Sequence, residues 1–393
     1  MTQELELSIM APSAENVQSL LVEFEARYHI HVRLRLWSWD TGWSDLIKVA
    51  LYSDGPDVSE IGTTWLGDLV AMNALHSFTP YEIAALGKSS AFLPSAWQAS
   101  HLVGQPEVWA IPWFVGARLI FYRRNLLQQA GIDEHTAFQT AEQLDHTLSR
   151  LQESGVPVPW TVPTGLTRST LLNIASWVWG AGGDFVTPDG KRTLFSQPQA
   201  RAGLRAYFAL GRFLAPAVRL LNGLQPDNQF TGDEGTAMTM SGSWLFAGAG
   251  PKLMTQLGVA LPPGASFVGG SHLVMWKHTR KPEAAMKLIQ FLTETQAQIT
   301  HSQRVGLLPS RVDALASPPF STDPLWQLTI QGLMKGRSFP VTRSWGLMED
   351  RLTSELHAVW TEVFSNPDLD LDAVIAKHMN PLAQRLDLVL GQS

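Results

Sequence analysis

Two stretches near the start of the chain alternate polar and apolar residues, and a helical stretch lies between them. Glu4-Leu5-Glu6-Leu7-Ser8-Ile9 has period two, and so does His29-Ile30-His31-Val32-Arg33-Leu34-Arg35-Leu36-Trp37. Between them, after a Pro12-Ser13 break, Val17, Leu20, Leu21 and Phe24 share one helical face. Strand, helix, strand predicts a right-handed βαβ unit with parallel strands. A further helix (Leu46 to Leu51) leads through Asp54-Gly55-Pro56-Asp57-Val58 into a third short strand ending near Glu60 to Thr64. Open parallel sheets bind ligands at the carboxyl ends of their strands. Trp37, Trp39, Asp40 and Trp43 follow the second strand, while Glu60 and Trp65 follow the third. Aromatic and acidic residues are therefore expected together on a ligand-binding edge.

The α/β pattern continues along the chain. Ala110-Ile111-Pro112-Trp113 reads as a connection and Arg118-Leu119-Ile120-Phe121-Tyr122 as a strand. Thr140 to Gln143 has the T-x-x-Q form of a capping box and opens a helix carrying Leu144, Leu148 and Leu151. A helix from Ser169 carries Trp177 and Trp179 and stops at Gly180-Ala181-Gly182-Gly183. Pro198 to Leu214 reads as another helix, and Lys281-Pro282-Glu283 opens one through Leu292 with proline in its first turn. At 393 residues, 45% of them hydrophobic, the chain is long enough for two domains with cores of their own.

Composition removes several classes of function. There are no cysteines, which excludes disulfides, thiolate nucleophiles, iron–sulfur clusters and Cys-ligated zinc. The net charge is −6 and no dense basic run occurs, so a nucleic-acid footprint is absent. Apolar stretches are broken well before the roughly 18 residues of a membrane span, and the chain reads as soluble. The G-x-S-x-G, H-E-x-x-H, Walker and dinucleotide-binding spacings are all missing. His29 and His31 fall on one face of a strand, but a lone H-x-H pair reads as plain strand residues, so no metal or cofactor is expected.

Seven short motifs in order resemble the extracellular solute-binding proteins of ABC importers, in the sugar-binding group that includes maltose-binding protein. They are Asp54 to Val58, Val108 to Leu127 with Ala130-Gly131-Ile132 following, Thr140 to Leu144, Trp177 to Asp184, Met240-Ser241-Gly242-Ser243-Trp244, Val268 to Ser271, and Gly306-Leu307-Leu308-Pro309-Ser310-Arg311. The resemblance implies an α/β, two-lobed periplasmic-binding-protein fold of type II, with ligand in a cleft between lobes and several chain crossings at the hinge. It implies one lobe from residues 1–111 and 264–314 and another from 112–263 and 315–393. It also implies a receptor that acts singly, with a carbohydrate ligand, a membrane permease as partner and no catalytic activity. The start, Met1-Thr2-Gln3-Glu4, has no signal-peptide character. With an extracytoplasmic location implied, either periplasmic or lipid-anchored, removal of a leader is the expectation. One segment departs from the family pattern: Gly116 replaces a polar, often acidic contact, and Arg118 stands at a usual glycine.

Tryptophan is abundant, 15 residues against 5 tyrosines. An indole covers the apolar C–H face of a pyranose, while carboxylates and arginines satisfy its hydroxyls. By motif position the candidates are Trp113, Trp244 and Ser271, with Gly270 allowing close approach. Arg118, at the departure, joins them. Trp39, Asp40, Trp43, Glu60, Trp65, Arg343 and Trp345 come next from strand-end loops, and Trp177 and Trp179 from the helix before the glycines. Trp97, Trp109, Trp160, Trp276, Trp326 and Trp360 read as packing. Two other readings remain open: a receptor of the same fold for a polyamine or other cation, and a glycoside-processing enzyme using Glu60 with a second carboxylate. Inward arginines argue against the cation.

Overall fold

The computed structural model describes residues 3–11, 14–39, 41–366 and 368–390. Contacts divide the chain into two compact units. The first comprises Met1–Gly116, Gly269–Gln327 and Ser338–Gly346; the second comprises Ala117–Val268, Leu328–Arg337 and Leu347–Ser393. The crossings therefore differ from the expected 111/112, 263/264 and 314/315. Of those points, 111/112 falls at the start of the strand Ile111–Ala117 and 314/315 inside the helix Val312–Leu315.

The first unit is built on a six-stranded sheet among the described residues. Its strands are β1 (Gln3–Met10), β2 (Ile30–Trp37), β3 (Val58–Gly62), β4 (Ile111–Ala117), β8 (Val268–Met275) and β9 (Leu308–Pro309), ordered β2-β1-β3-β8-β4-β9. β1 runs parallel to both β2 and β3, as the N-terminal alternation predicts, and β8 returns antiparallel on β3. Both faces of the sheet are buried. Leu5, Leu7 and Ile9 of β1, with Leu273 and Met275 of β8, join a core shared with the helices Ala14–Tyr28 and Pro282–Leu292. Val274 and Trp276, pointing the other way, join a second core with Leu46, Val49, Leu66 and Leu69. Ile111-Pro112-Trp113 belongs to β4 and is not a connection. Pro112 lacks a donor but sits second in its strand, where a missing ladder bond is tolerated. His29 also moves: its φ of 56° places it in a left-handed turn ahead of β2, away from a shared strand face with His31.

The second unit centres on β5 (Leu119–Arg123), antiparallel to β6 (Met238–Ser241) on one side and β7 (Leu257–Ala260) on the other. Helices Ala141–Glu153, Arg168–Gly180 and Pro198–Ala209 begin close to where the sequence places them. Only half of the capping box forms: Thr140 accepts from the Gln143 backbone N–H, while Gln143 Oε1 has no partner among the described residues. The unit's aromatic core sets Trp177 edge-on to Tyr207, with ring centroids 4.8 Å apart, and Tyr207 and Phe208 against Trp360. Trp160, Trp276 and Trp360 are fully buried, as packing residues should be.

Candidate functional site

Each unit carries its own cluster of candidate residues. In the second unit, Arg118 immediately precedes β5, and its neighbour Leu119 pairs with Ser241 at the end of β6. Three residues on, Trp244 folds back over the turn. A Cβ on Gly242 would come within 1.9 Å of its ring, so only glycine lets the indole lie there. The Arg118 guanidinium sits over that ring, 4.8 Å from its centroid. Asp227, in the first turn of helix Gln225–Gly232, anchors the arrangement. Its Oδ2 accepts from Trp244 Nε1 and from Ser241 Oγ, each at 2.8 Å.

The charges in this cluster are partly buried and mutually compensating. Burial pushes the Asp227 carboxyl up, while Trp244, Ser241 and the Arg118 cation favour its ionised form. Burial likewise brings Arg118 down to about 10, still a cation at neutral pH, with Asp227 and Tyr207 opposing the shift. Burial holds the Tyr207 phenol protonated, near Asn173 and Arg118. Arg118 and Trp244 were expected from sequence. Asp227, Tyr207 and Asn173 were not: they arrive from three separate helices, and Pro226-Asp227 signals only a helix start.

In the first unit, Trp39, Trp43 and Trp65 gather beyond the carboxyl ends of β2 and β3. Trp65 lies 5.4 Å from Trp39 and 5.6 Å from Trp43 between ring centroids. Trp39 is 40% exposed and Trp43 half-buried, while Trp65 is buried behind them. Asp40 lies outside the described residues. Arg343 is exposed.

Several expected ligand contacts are placed elsewhere. Trp113 belongs to the first unit and has no exposed surface; His301 stacks on it at 5.2 Å and Phe114 lies 4.3 Å away. Trp345 is equally buried and stacked on Phe339, and Trp177 backs Tyr207. Rings covered in this way are core residues, because no face is left for a sugar. Trp179 donates to Asp184 and lies under the Arg337 guanidinium. Glu60 lies within β3, not in a loop, and is 2% exposed. Its Oε1 accepts from Ser271 Oγ at 2.5 Å and its Oε2 from the Met10 N–H at 2.8 Å. Glu60 and Ser271 thus satisfy each other inside the sheet, where both are buried.

Gly270 does permit a close approach, but to backbone: a Cβ there would meet the Phe114 carbonyl oxygen at 2.0 Å. Replacing Gly270 by Ala is therefore expected to destabilise the first unit by about 1–3 kcal/mol through overpacking. Denaturant unfolding checks this; an unchanged midpoint would mean that the sheet adjusts freely.

Residues 10–299 match the bacterial extracellular solute-binding protein family, and the chain belongs to that family. A probable ABC transporter-binding protein of Deinococcus radiodurans is 26% identical over 54% of this chain and 54% of its own length, so the chain spans about half of that relative. The diacetylchitobiose binding protein DasA of Streptomyces coelicolor is 22% identical over 76% of this chain and 70% of its own. Among solved structures, an ABC transporter solute-binding protein of Thermotoga lettingae bound to α-D-tagatose superposes with a TM-score of 0.86. It is 20% identical, and the match covers 99% of this chain and 100% of that one. The fold is thus that of the two-lobed periplasmic solute-binding proteins. No helix among the described residues is long and apolar enough to cross a membrane.

Proposed function

We propose that this protein is the receptor of an ABC importer for a mono- to oligosaccharide, which it captures between its two units and delivers to a membrane permease. The observation that carries the reading is the Arg118–Trp244–Asp227 arrangement, where a guanidinium fork, an indole and a carboxylate converge. The guanidinium and the carboxylate are groups that sugar oxygens and hydroxyls require, and the indole holds both in place. Trp39 and Trp43, partly open on the first unit, supply a second aromatic surface. A ligand held by one unit alone has no differential affinity for separated and closed arrangements, whereas one held by both draws them together. The sugars named for DasA and for the Thermotoga protein support the ligand class. Working outside the cytoplasm, periplasmic or lipid-anchored, one copy of the protein would serve one ligand.

A thermal-shift screen over sugars, polyamines and amino acids tests the reading. A cognate sugar at 100 times its Kd adds about 2.7 kcal/mol of stability and raises Tm. A response to polyamines or amino acids alone contradicts the carbohydrate assignment. New reducing ends after incubation with oligosaccharides would show an enzyme instead.

A further inference from the structure

Hydrogen-bonding capacity around Trp244 is unevenly used. The ring already carries a guanidinium 4.8 Å from its centroid, and its N–H is committed to Asp227. A face under a cation is not open to a pyranose, so this indole serves as backing for Arg118. The Arg118 backbone N–H donates to the Phe267 carbonyl, but its guanidinium makes no hydrogen bond or ion pair among the described residues. Asp227 Oδ2 accepts twice, while Oδ1 accepts from nothing among them. Both side chains keep partial access to solvent. A donor fork and a carboxylate oxygen thus stand unused in one cluster, each held by other contacts.

Resting on the sugar-receptor reading, we propose that Arg118 and Asp227 form a charge-balanced reader for adjacent hydroxyls of a neutral sugar, and that the pair rejects acidic and cationic ligands alike. A hydroxyl accepts from Arg118 and donates to Asp227 Oδ1, so a vicinal diol uses both groups at once. A uronate gains Arg118 but meets Asp227, whose carboxylate is tethered by Ser241 and Trp244 and cannot swing away. A polyamine gains Asp227 and meets Arg118. Like charge in a partly desolvated site costs more than the same pair in water. Discrimination by charge is therefore built into one pair of side chains, as repulsion against the wrong class as much as attraction for the right one.

The experiment titrates wild type, Arg118→Met, Arg118→Lys and Asp227→Asn with three probe sets. These are neutral sugars (maltose, D-tagatose, diacetylchitobiose and longer maltodextrins), the acids galacturonate and digalacturonate, and the cation spermidine. Far-UV circular dichroism and Tm without ligand establish that each variant folds. Wild type should bind a neutral sugar and neither charged set. Arg118→Met should lose at least tenfold in sugar affinity. Arg118→Lys should recover only part of it, because one ammonium replaces a planar fork. Asp227→Asn keeps an acceptor for Ser241 and Trp244, and should gain measurable affinity for galacturonate. Should neither Arg118 variant fold, the Asp227→Asn selectivity switch alone decides. Wild type preferring an acid or spermidine overturns the inference, as does an Asp227→Asn protein with unaltered selectivity. A wild type that binds no sugar overturns the receptor reading itself, and this inference with it.

Discussion

Replacing Asp227 by Ala is expected to abolish measurable sugar binding and to lower the stability of the second unit. The carboxylate accepts from Ser241 and from the Trp244 indole, and it compensates the Arg118 charge. Removing it leaves two donors without their acceptor, at about 1 kcal/mol or more each, and leaves a partly buried cation less compensated, for about 2–4 kcal/mol in all. Asp227→Asn is the control. An amide oxygen can still accept from both donors, so most of the stability should return while the charge does not. Equilibrium unfolding of the two variants separates these contributions. If Asp227→Ala unfolds like wild type and still binds sugar, the carboxylate is a bystander and the site lies elsewhere.

The second large effect lies in the first unit and depends on pH. Burial raises the Glu60 carboxyl from 4.5 to about 7, against hydrogen bonds from Ser271 and Met10 that favour its charged form. Because the folded-state value lies above the unfolded one, the folded protein holds this proton more tightly. The stabilisation is fully present below pH 4.5 and is lost as pH rises through 7, amounting to about 3 kcal/mol. Glu60→Gln retains an acceptor for the Met10 N–H and an amide donor for Ser271, and it does not titrate. The difference in unfolding free energy between wild type and Glu60→Gln should therefore shift by about 3 kcal/mol between pH 4 and pH 8, wild type losing ground as pH rises. A pH-independent difference would show that Glu60 ionises freely, and that the sheet admits water to it.

What was legible in the sequence, and what was not, follows from the range of the interactions involved. The β1–helix–β2 unit follows from local alternation, because a buried face leaves a period of two that nothing distant can alter. Trp244 and Arg118 were also within reach: a Gly-Ser turn after a strand, and an arginine where the family pattern has glycine, are both local. Which face of an indole is covered is not local. Trp113 and Trp244 both stand in matched motifs, yet His301 and Phe114 bury the first while the second stays partly open. Glu60 reads as a strand-end acid because the third strand is expected to end near it; its surroundings are set by Ser271 on β8, far along the chain. Asp227 carried no functional signal, since its meaning lies in two donors from another element.

Calorimetric titration of unit-specific variants tests most directly the proposal that one sugar engages residues of both units. Trp39→Ala alters the first unit only, and removal of the Arg118 fork by Arg118→Met alters the second only. With a neutral sugar that wild type binds, each substitution should weaken the same one-to-one titration, the first by about 1–2 kcal/mol from lost aromatic burial. Combined, they should weaken it further than either alone. If Trp39→Ala leaves the isotherm unchanged while Arg118→Met abolishes it, the ligand belongs to the second unit alone and the two-unit account is wrong.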